Sequence, residues 1–420
     1  MKSTSPWAWI PTLYFAQGLP YVAVMTISVI MYKRLGISNA ELAFYTGWLN
    51  LPWVIKPLWS PFIDLIKTKR WWITWMQLLI GAGLAGIAFT IPTDYFFQLT
   101  LAVFWLMAFS SATHDIAADG FYMLGLSSHE QALFVGIRST FYRIATIAGQ
   151  GLLIMLAGHL EKTTNNIPFS WSITFMVLAG LFLALWVWHK FILPHPDSDK
   201  AAREVSASTL LKEFGATFVS FFRKKQAGIA ILFMLLYRLP EAQLGKMSIP
   251  FLIDPASEGG LGLTTEQIGF VQGTVGIIGL TLGGILGGIA VSRHGLKRWL
   301  WSMVWAISLP DIVYVYLSYV QPTSLMLVNT CVFIEQFGYG FGFTAYMLYL
   351  IYFADGEHKT AHYAICTAFM ALGMMIPGMA AGWLQEVMGY QGFFIWIMVC
   401  TLATFGVTAL LKIDPQFGKK

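Results

Sequence analysis

Charged residues are scarce in this 420-residue sequence, since Asp, Glu, Lys and Arg together make up 11% of it. A soluble domain carries about 25% charged residues. Hydrophobic residues account for 57%, so a soluble fold of this composition would lack the polar surface to cover itself. The composition therefore predicts a chain whose main solvent is lipid.

Several other features are missing. The three cysteines, Cys331, Cys366 and Cys400, stand singly in apolar stretches, which excludes a disulfide framework and a Cys-based zinc site and predicts small buried hydrophobes. No GxxxxGK[ST] phosphate loop occurs, so an ATP-driven pump is excluded. No cleavable signal peptide is recognisable, because the first apolar stretch, from Trp7 to Tyr32, is too long. We expect no cofactor, no metal and no catalytic residues.

Apolar runs of roughly 20 residues, the length of a membrane-spanning helix, recur along the chain. They predict an all-α polytopic protein with twelve transmembrane helices in two pseudo-symmetric six-helix bundles. The expected spans lie near 9–32, 42–63, 71–92, 96–120, 133–158, 169–193, 227–252, 265–291, 299–320, 325–353, 361–384 and 391–412. The expected domains are 1–193, a cytoplasmic linker at 194–226 with an amphipathic helix, and 227–420.

Lysine and arginine are unevenly shared between the loops. With the N-terminus inside, the predicted cytoplasmic segments hold eighteen of them, whereas the opposite loops hold only Lys33, Arg34 and Lys162. This asymmetry places both termini in the cytoplasm. It also accounts for the net charge of +5 without a nucleic-acid partner.

The two halves repeat a short pattern. The segments Ser60–Arg70 and Gly288–Arg298 both resemble the G-x-x-x-D-R-x-G-x-[RK]-[RK] motif of the major facilitator superfamily. The resemblance implies six-plus-six spans around a central solute site, with the motif latching helices together on the cytoplasmic side. Span 8 is rich in glycine, which favours close approach of helix backbones.

Ionisable residues inside the spans cost at least ~2.5–3.5 kcal/mol at the bilayer centre, so they should face the protein interior or a wet cavity. Asp115 and Asp119 share a helix face beside His114, and two such carboxylates disfavour joint ionisation. We expect a proton to bind at one of four carboxylates, namely Asp115, Asp119, Glu241 and Glu335. The alternative is that these groups pair only to hold helices together.

Cations on the next span offer one such pairing. Arg143, with Arg138 as its possible partner, is expected at the level of the two aspartates, either as a clamp for an anionic solute or as a structural bridge. Arg238 and Glu241 are three residues apart and are expected to pair locally or to face the solute. Asp311 follows Pro310 within a span, as a cavity residue or a helix cap. Trp53 is expected to anchor the chain at the interface or to stack on sugar faces.

Scattered segments along both halves resemble the AmpG-type muropeptide permeases, the branch that includes acetyl-CoA transporters. These segments are Tyr14–Tyr21, Lys56–Asp64, His114–Asp119, Tyr142-Arg143, Tyr237–Ala242, Phe251–Asp254, Glu335–Gly340 and Gly382-Trp383. The resemblance implies proton-driven uptake of anhydro-muropeptides across a bacterial inner membrane. The solute-binding residues that we expect are Tyr14, Gln17, Tyr21, Trp53, Lys56, His114, Arg138, Tyr142, Arg143, Arg238 and Asp311.

The sequence departs from that family at three places. The family commonly has Gln where His114 stands and a basic residue where Tyr122 stands, and Arg138 is an additional cation. These departures leave open a different solute, such as an acyl-CoA, a glycan fragment or a siderophore.

An intramembrane metal-dependent transferase is the remote alternative, against which stands the lack of a second Asp-rich cluster. A non-transporting receptor would show the same helices. We expect a monomer whose partners are the bilayer, protons and a small polar or anionic solute.

Overall fold

The computed structural model describes residues 5–126, 128–197, 199, 207–356 and 359–418, apart from some side chains near 61–65, 128–139, 207–214 and 359–361. Helices cover most of these residues. The first part of the chain forms α1 (Pro6–Val22), α2 (Ser28–Arg34), α3 (Asn39–Trp48), α4 (Leu51–Ile66), α5 (Lys69–Thr90), α6 (Phe96–Gly125), α7 (Ser128–Ile147), α8 (Ile154–Thr164) and α9 (Ile167–Ile192). The second part forms α10 (Ala207–Phe222), α11 (Ala227–Leu236), α12 (Leu239–Ile253), α13 (Thr265–Phe270), α14 (Ile277–His294), α15 (Leu296–Ser308), α16 (Ile312–Val320), α17 (Leu325–Ala354) and α18 (Lys359–Ala409).

Ten helical segments among the described residues are long and apolar enough to cross a membrane. One of them, 48 residues long, consists of two helices that meet at Gly389, where φ is 66°. The predicted span 42–63 is divided between α3 and α4, each too short to span alone. Counted this way, the described helices form the twelve spans that the sequence predicts, and the fold class is confirmed.

Several spans are interrupted. π-helical turns at Ala23–Ile27, Ala148–Leu153 and Val271–Gly276 join the two parts of spans 1, 5 and 8. Span 7 breaks between α11 and α12, and span 9 breaks at a 3₁₀ turn, Leu309–Asp311. Non-α backbone at membrane depth is tolerated where it is buried in protein or lines a wet cavity. Interruptions of this kind are frequent at functional positions.

Two compact units contain these helices. The first is Met1–Leu35 with Ile55–Lys212, and the second is Gly36–Val54 with Glu213–Lys420. The division differs from the predicted domains in two respects. The predicted linker 194–226 is split between the units after Lys212, and α3 packs with α18 and α12 of the second unit. In that contact Asn39 Nδ2 donates to Gln385 Oε1 at 2.7 Å, and the Ala40 amide donates to Glu386 Oε1 at 2.8 Å.

Two helix ends are held by charged side chains that bond to the backbone. Asp199 accepts from the backbone amides of Lys69 and Arg70, at 2.7 and 3.0 Å, and so caps the N-terminus of α5. Lys224 donates to the carbonyls of Phe353 and Asp355, at 2.5 and 2.7 Å, where α17 ends. The side chain of Asp64, the motif's expected acidic residue, lies outside the described side chains.

Glycines on α14 bring it against α17, as the sequence predicts. A Cβ at Gly279 would lie 2.8 Å from the carbonyl oxygen of Phe333. A Cβ at Gly283 would overlap the carbonyl oxygen of Phe337. A Cβ at Gly288, by contrast, would meet no heavy atom within 4 Å. The glycines thus divide into a packed row and an open position on the same helix.

Candidate functional site

An ion pair in the first unit joins α6 to α7. Arg138 Nη2 donates to Asp119 Oδ1 at 2.9 Å, and the Tyr14 hydroxyl donates to the same oxygen at 3.2 Å. The guanidinium of Arg138 lies 4.5 Å from the ring centroid of Tyr14 and 5.0 Å from that of Tyr122. Cation–π contacts of this geometry add to the ion pair. One carboxylate, one cation and two phenol rings therefore form a single polar cluster, called here the Asp119 cluster.

The other predicted solute residues occupy varied positions. Tyr142 is half-buried and within electrostatic range of Tyr21 and Asp115, so these three lie near the Asp119 cluster. Gln17 is buried, and its side-chain oxygen has no hydrogen-bond partner among the described residues. Lys56 and Trp53 are half-buried.

Two expectations for the first unit are not supported by this geometry. Arg143 is exposed and makes no described ion pair with either aspartate, because Arg138, five residues earlier on α7, occupies that position. His114 is buried, and its Nε2 is 3.0 Å from Gln77 Nε2. A histidine enclosed in this way faces the helix packing rather than a solute.

The partner of His114 continues a buried hydrogen-bond chain across the first unit. Gln77 Oε1 is 3.0 Å from His189 Nδ1, and His189 Nε2 is 2.9 Å from Thr12 Oγ1. The chain links α1, α5, α6 and α9. His114 Nε2 accepts from the Gln77 amide nitrogen, and His189 Nδ1 donates to the Gln77 amide oxygen, so the network satisfies buried polar groups as a packed core requires.

The second unit contains a cluster of three buried carboxylates. One oxygen each from Glu241, Asp311 and Glu335 lies within 4.8 Å of the others. All three residues are at most 6% exposed. The cluster, called here the carboxylate triad, joins spans 7, 9 and 10, which are separate in sequence.

The interruptions of spans 7 and 9 position this triad. Glu241 lies in the first turn of α12, just after the break in span 7, where the positive end of a helix favours a carboxylate. Asp311 is the last residue of the 3₁₀ turn in span 9. The continuous helix α17 carries Glu335. Asp311 is thus a buried member of the carboxylate triad. Its side chain does not cap α16, the alternative expected from the sequence, because it makes no capping hydrogen bond.

Few hydrogen bonds satisfy the triad. Glu335 accepts from Gln336 Nε2 at 3.1 and 3.0 Å. Among the described residues, one oxygen of Glu241 and both oxygens of Asp311 have no hydrogen-bond partner, and neither has the buried hydroxyl of Tyr314. The described ion pairs include no cation bound to these carboxylates. Unsatisfied groups of this kind in a native core call for a bound proton, ion or water.

Arg238 does not pair with Glu241 within the described ion pairs, contrary to one of the two expectations for it. Its Nη2 donates to the Tyr339 hydroxyl instead. The guanidinium lies over the rings of Tyr339, Phe343 and Tyr346, with centroids at 5.4, 4.6 and 5.8 Å. Its buried Nε has no hydrogen-bond partner in the described part of the chain. The break in span 7 accounts for this, since Arg238 precedes α12 with non-helical backbone angles.

Comparison with known proteins places this arrangement in a family. Residues 12–351 match the model of the Major Facilitator Superfamily. The chain belongs to that superfamily. It is a secondary membrane transporter of small solutes rather than an enzyme.

Within the superfamily, the predicted resemblance to AmpG-type permeases is confirmed. The chain is 26% identical to the putative transporter AmpG 4 of Rickettsia conorii over 95% of both chains. It is also 26% identical to the anhydromuropeptide permease of Escherichia coli K12, over 91% of this chain and 75% of that one.

Solved structures agree with the fold. The nucleoside transporter NupG superposes with a TM-score of 0.71 at 15% identity, over 97% of this chain and 99% of that one. A D-xylose-proton symporter superposes with a TM-score of 0.73 at 13% identity, over 98% of both chains. At these identities the likeness establishes the fold alone.

Proposed function

We propose that this facilitator imports muropeptide-like solutes across a bacterial inner membrane, driven by protons that bind the carboxylate triad. Both termini lie in the cytoplasm, and the transporter works as a monomer. The observation that carries the coupling is the triad itself: three buried carboxylates, two of them at helix breaks, that take part in none of the described ion pairs.

Electrostatic repulsion requires protons at such a cluster. Two unit charges at 4.8 Å repel by about 3 kcal/mol at an effective dielectric constant of about 20. Three pairs at this distance or less, added to the cost of removing each carboxylate from water, make full ionisation unfavourable. At least one member therefore holds a proton while the site is dry, and wetting of the site in another conformation would release it.

The solute class is supported by the relatives and by the chemistry of the first unit. One of the relatives is named a putative AmpG transporter and another an anhydromuropeptide permease. A muropeptide combines sugar rings with peptide carboxylates. In the Asp119 cluster the phenol rings are buried, whereas the guanidinium of Arg138 stays partly exposed and suits a carboxylate of the solute.

Uptake into membrane vesicles tests this function. Right-side-out vesicles containing the protein should accumulate a labelled anhydromuropeptide when the outside is made acidic, and a protonophore should abolish the accumulation. Vesicles without the protein provide the background. Uptake that is insensitive to the protonophore, with a sodium gradient able to replace the pH gradient, would refute proton coupling. Accumulation of a labelled acyl-CoA, glycan fragment or siderophore, but not of the labelled anhydromuropeptide, would refute the solute class.

A further inference from the structure

A lysine within span 7, Lys246 on α12, has no role in the function proposed above. Its Nζ donates to Thr46 Oγ1 at 3.0 Å. Thr46 is fully buried on α3 and donates its own hydroxyl proton to the Leu42 carbonyl at 2.6 Å, so it can only accept from the lysine. The ammonium has three N–H donors, and this contact uses one of them.

No counter-charge accompanies this ammonium in the described part of the chain. The described ion pairs do not include Lys246, although Thr46 lies in the last turn of α3, whose negative end gives partial compensation. An unpaired ammonium at membrane depth costs several kcal/mol. The described residues supply no further compensation, which leaves the ammonium able to bind an external anion.

The surroundings of Lys246 leave room for a ligand. Apart from Leu239 at its start, α12 is buried at every residue except Gly245, which is exposed, and Lys246, which is half-buried. A Cβ at Gly245 would meet no heavy atom within 4 Å. A Cβ at Gly378 on α18 would lie 3.3 Å from Lys246 Cγ, so this glycine lets the lysine side chain pass. The accessible part of α12 therefore coincides with its one lysine.

We propose that Lys246 binds an anionic group of the transported solute, a carboxylate or a phosphate, through the N–H donors that Thr46 leaves free. The proposal rests on the transport function and specifies the charge of its solute. Thr46 holds the ammonium in place, and the solute supplies the counter-charge. Lys246 is thus a specificity-determining residue, which favours anionic over neutral solutes.

Binding to the purified full-length protein tests this assignment. The probes are an anhydromuropeptide with free peptide carboxylates and the same compound with its carboxylates converted to amides. Lys246→Gln should weaken binding of the free acid at least tenfold and change binding of the amide less than twofold. Lys246→Arg should retain binding within about threefold. The matched control is Lys297→Gln, at an exposed lysine in the first turn of α15. It should change neither the binding of the free acid nor the binding of the amide.

The outcomes separate this proposal from the transport function. A well-folded Lys246→Gln protein with parental affinity for the free acid would overturn it. If the parent binds no muropeptide, the proposed solute is wrong, and inorganic phosphate and N-acetylated dipeptides then serve as probes in a thermal-shift assay. Stabilisation of the parent but not of Lys246→Gln by these anions supports the role of Lys246, and failure of both anions to stabilise the parent refutes it. Should Lys246→Gln fold poorly, Thr46→Val, which keeps the charge, is expected to weaken binding of the free acid alone.

Discussion

Arg138 and Tyr122 are in contact, with the guanidinium carbon 5.0 Å from the phenol ring centroid. These are two of the positions at which the sequence departs from AmpG-type permeases. The family commonly has a basic residue where Tyr122 stands, and here the cation comes from α7 instead and pairs with Asp119 at 2.9 Å. The two departures therefore compensate for each other in space.

This compensation predicts a rescue. Arg138→Ala should lower uptake at least tenfold and lower the melting temperature by a few degrees, because it leaves Asp119 without its cation. Arg138→Ala combined with Tyr122→Lys should recover a substantial part of the lost uptake and of the lost melting temperature. Vesicle uptake and thermal unfolding measure these two quantities. Arg143→Ala, at the exposed arginine of the same helix, is the control. A double variant no better than Arg138→Ala would mean that the position of the cation, and not only its charge, is required.

The carboxylate triad makes a second prediction. Glu241→Gln, Asp311→Asn and Glu335→Gln should each abolish accumulation driven by a pH gradient while sparing solute counterflow, because exchange needs no net proton movement. The melting temperature should rise or stay level, since each change removes repulsion between buried charges. Glu258→Gln, at an exposed carboxylate of the second unit, should behave like the parent. Retention of uphill uptake by all three variants would exclude the triad as the coupling site.

The hydrogen-bond chain through Gln77 predicts a stability effect without a binding effect. His114→Ala and Gln77→Ala each leave buried partners unsatisfied, at a cost of about 1–3 kcal/mol, and should lower the melting temperature. His159→Ala, at an exposed histidine of the same unit, should not. In the well-folded fraction, uptake should keep its parental KM. A raised KM for His114→Ala with an unchanged melting temperature would favour the solute contact expected from the sequence.

Helix packing in the second unit predicts a contrast between two glycines of α14. Gly283→Leu places a side chain where the backbone of α17 lies, so folded protein should be largely lost. Gly288→Leu faces open space and should be produced at parental levels. Fluorescence-detected size exclusion of both variants gives the comparison. Equal yields would show that α14 and α17 separate at this position.

Topology is tested by labelling. Cysteines introduced at Lys67 and Lys162, both exposed, should differ in intact cells, with an impermeant thiol reagent modifying position 162 and not position 67. The native cysteines are buried and should remain unlabelled in the parent. Modification at 67 but not at 162 would reverse the proposed orientation.

The sequence predicted the fold because its evidence is local. Each span is recognisable from some twenty consecutive residues. The glycine spacing in α14 likewise predicts close packing against another helix, without identifying that helix. The charged residues within the spans were also recognisable singly, because each one is costly in lipid.

Pairings between distant helices were beyond that local evidence. Arg138 and Arg143 are both on α7, and only the rotation of the helix decides which one meets Asp119. The triad depends on breaks in spans 7 and 9 that bring Asp311 beside Glu241. In the sequence, Pro310 indicates the break in span 9 and Pro240 the break in span 7. Nothing in the sequence indicates that His114 is buried, since its partners Gln77 and His189 are far away in sequence and neither is unusual alone.

The position of α3 has a consequence for dividing this protein into fragments. Because residues 36–54 pack with the second unit, a fragment starting at residue 213 would lack one of its own helices and expose the face of α18 that surrounds Gln385. Its missing helix would be carried by the other fragment. Two fragments cut in the linker and produced together therefore have a built-in means of recognising each other, whereas the second fragment produced alone would be left with an uncovered, aggregation-prone surface.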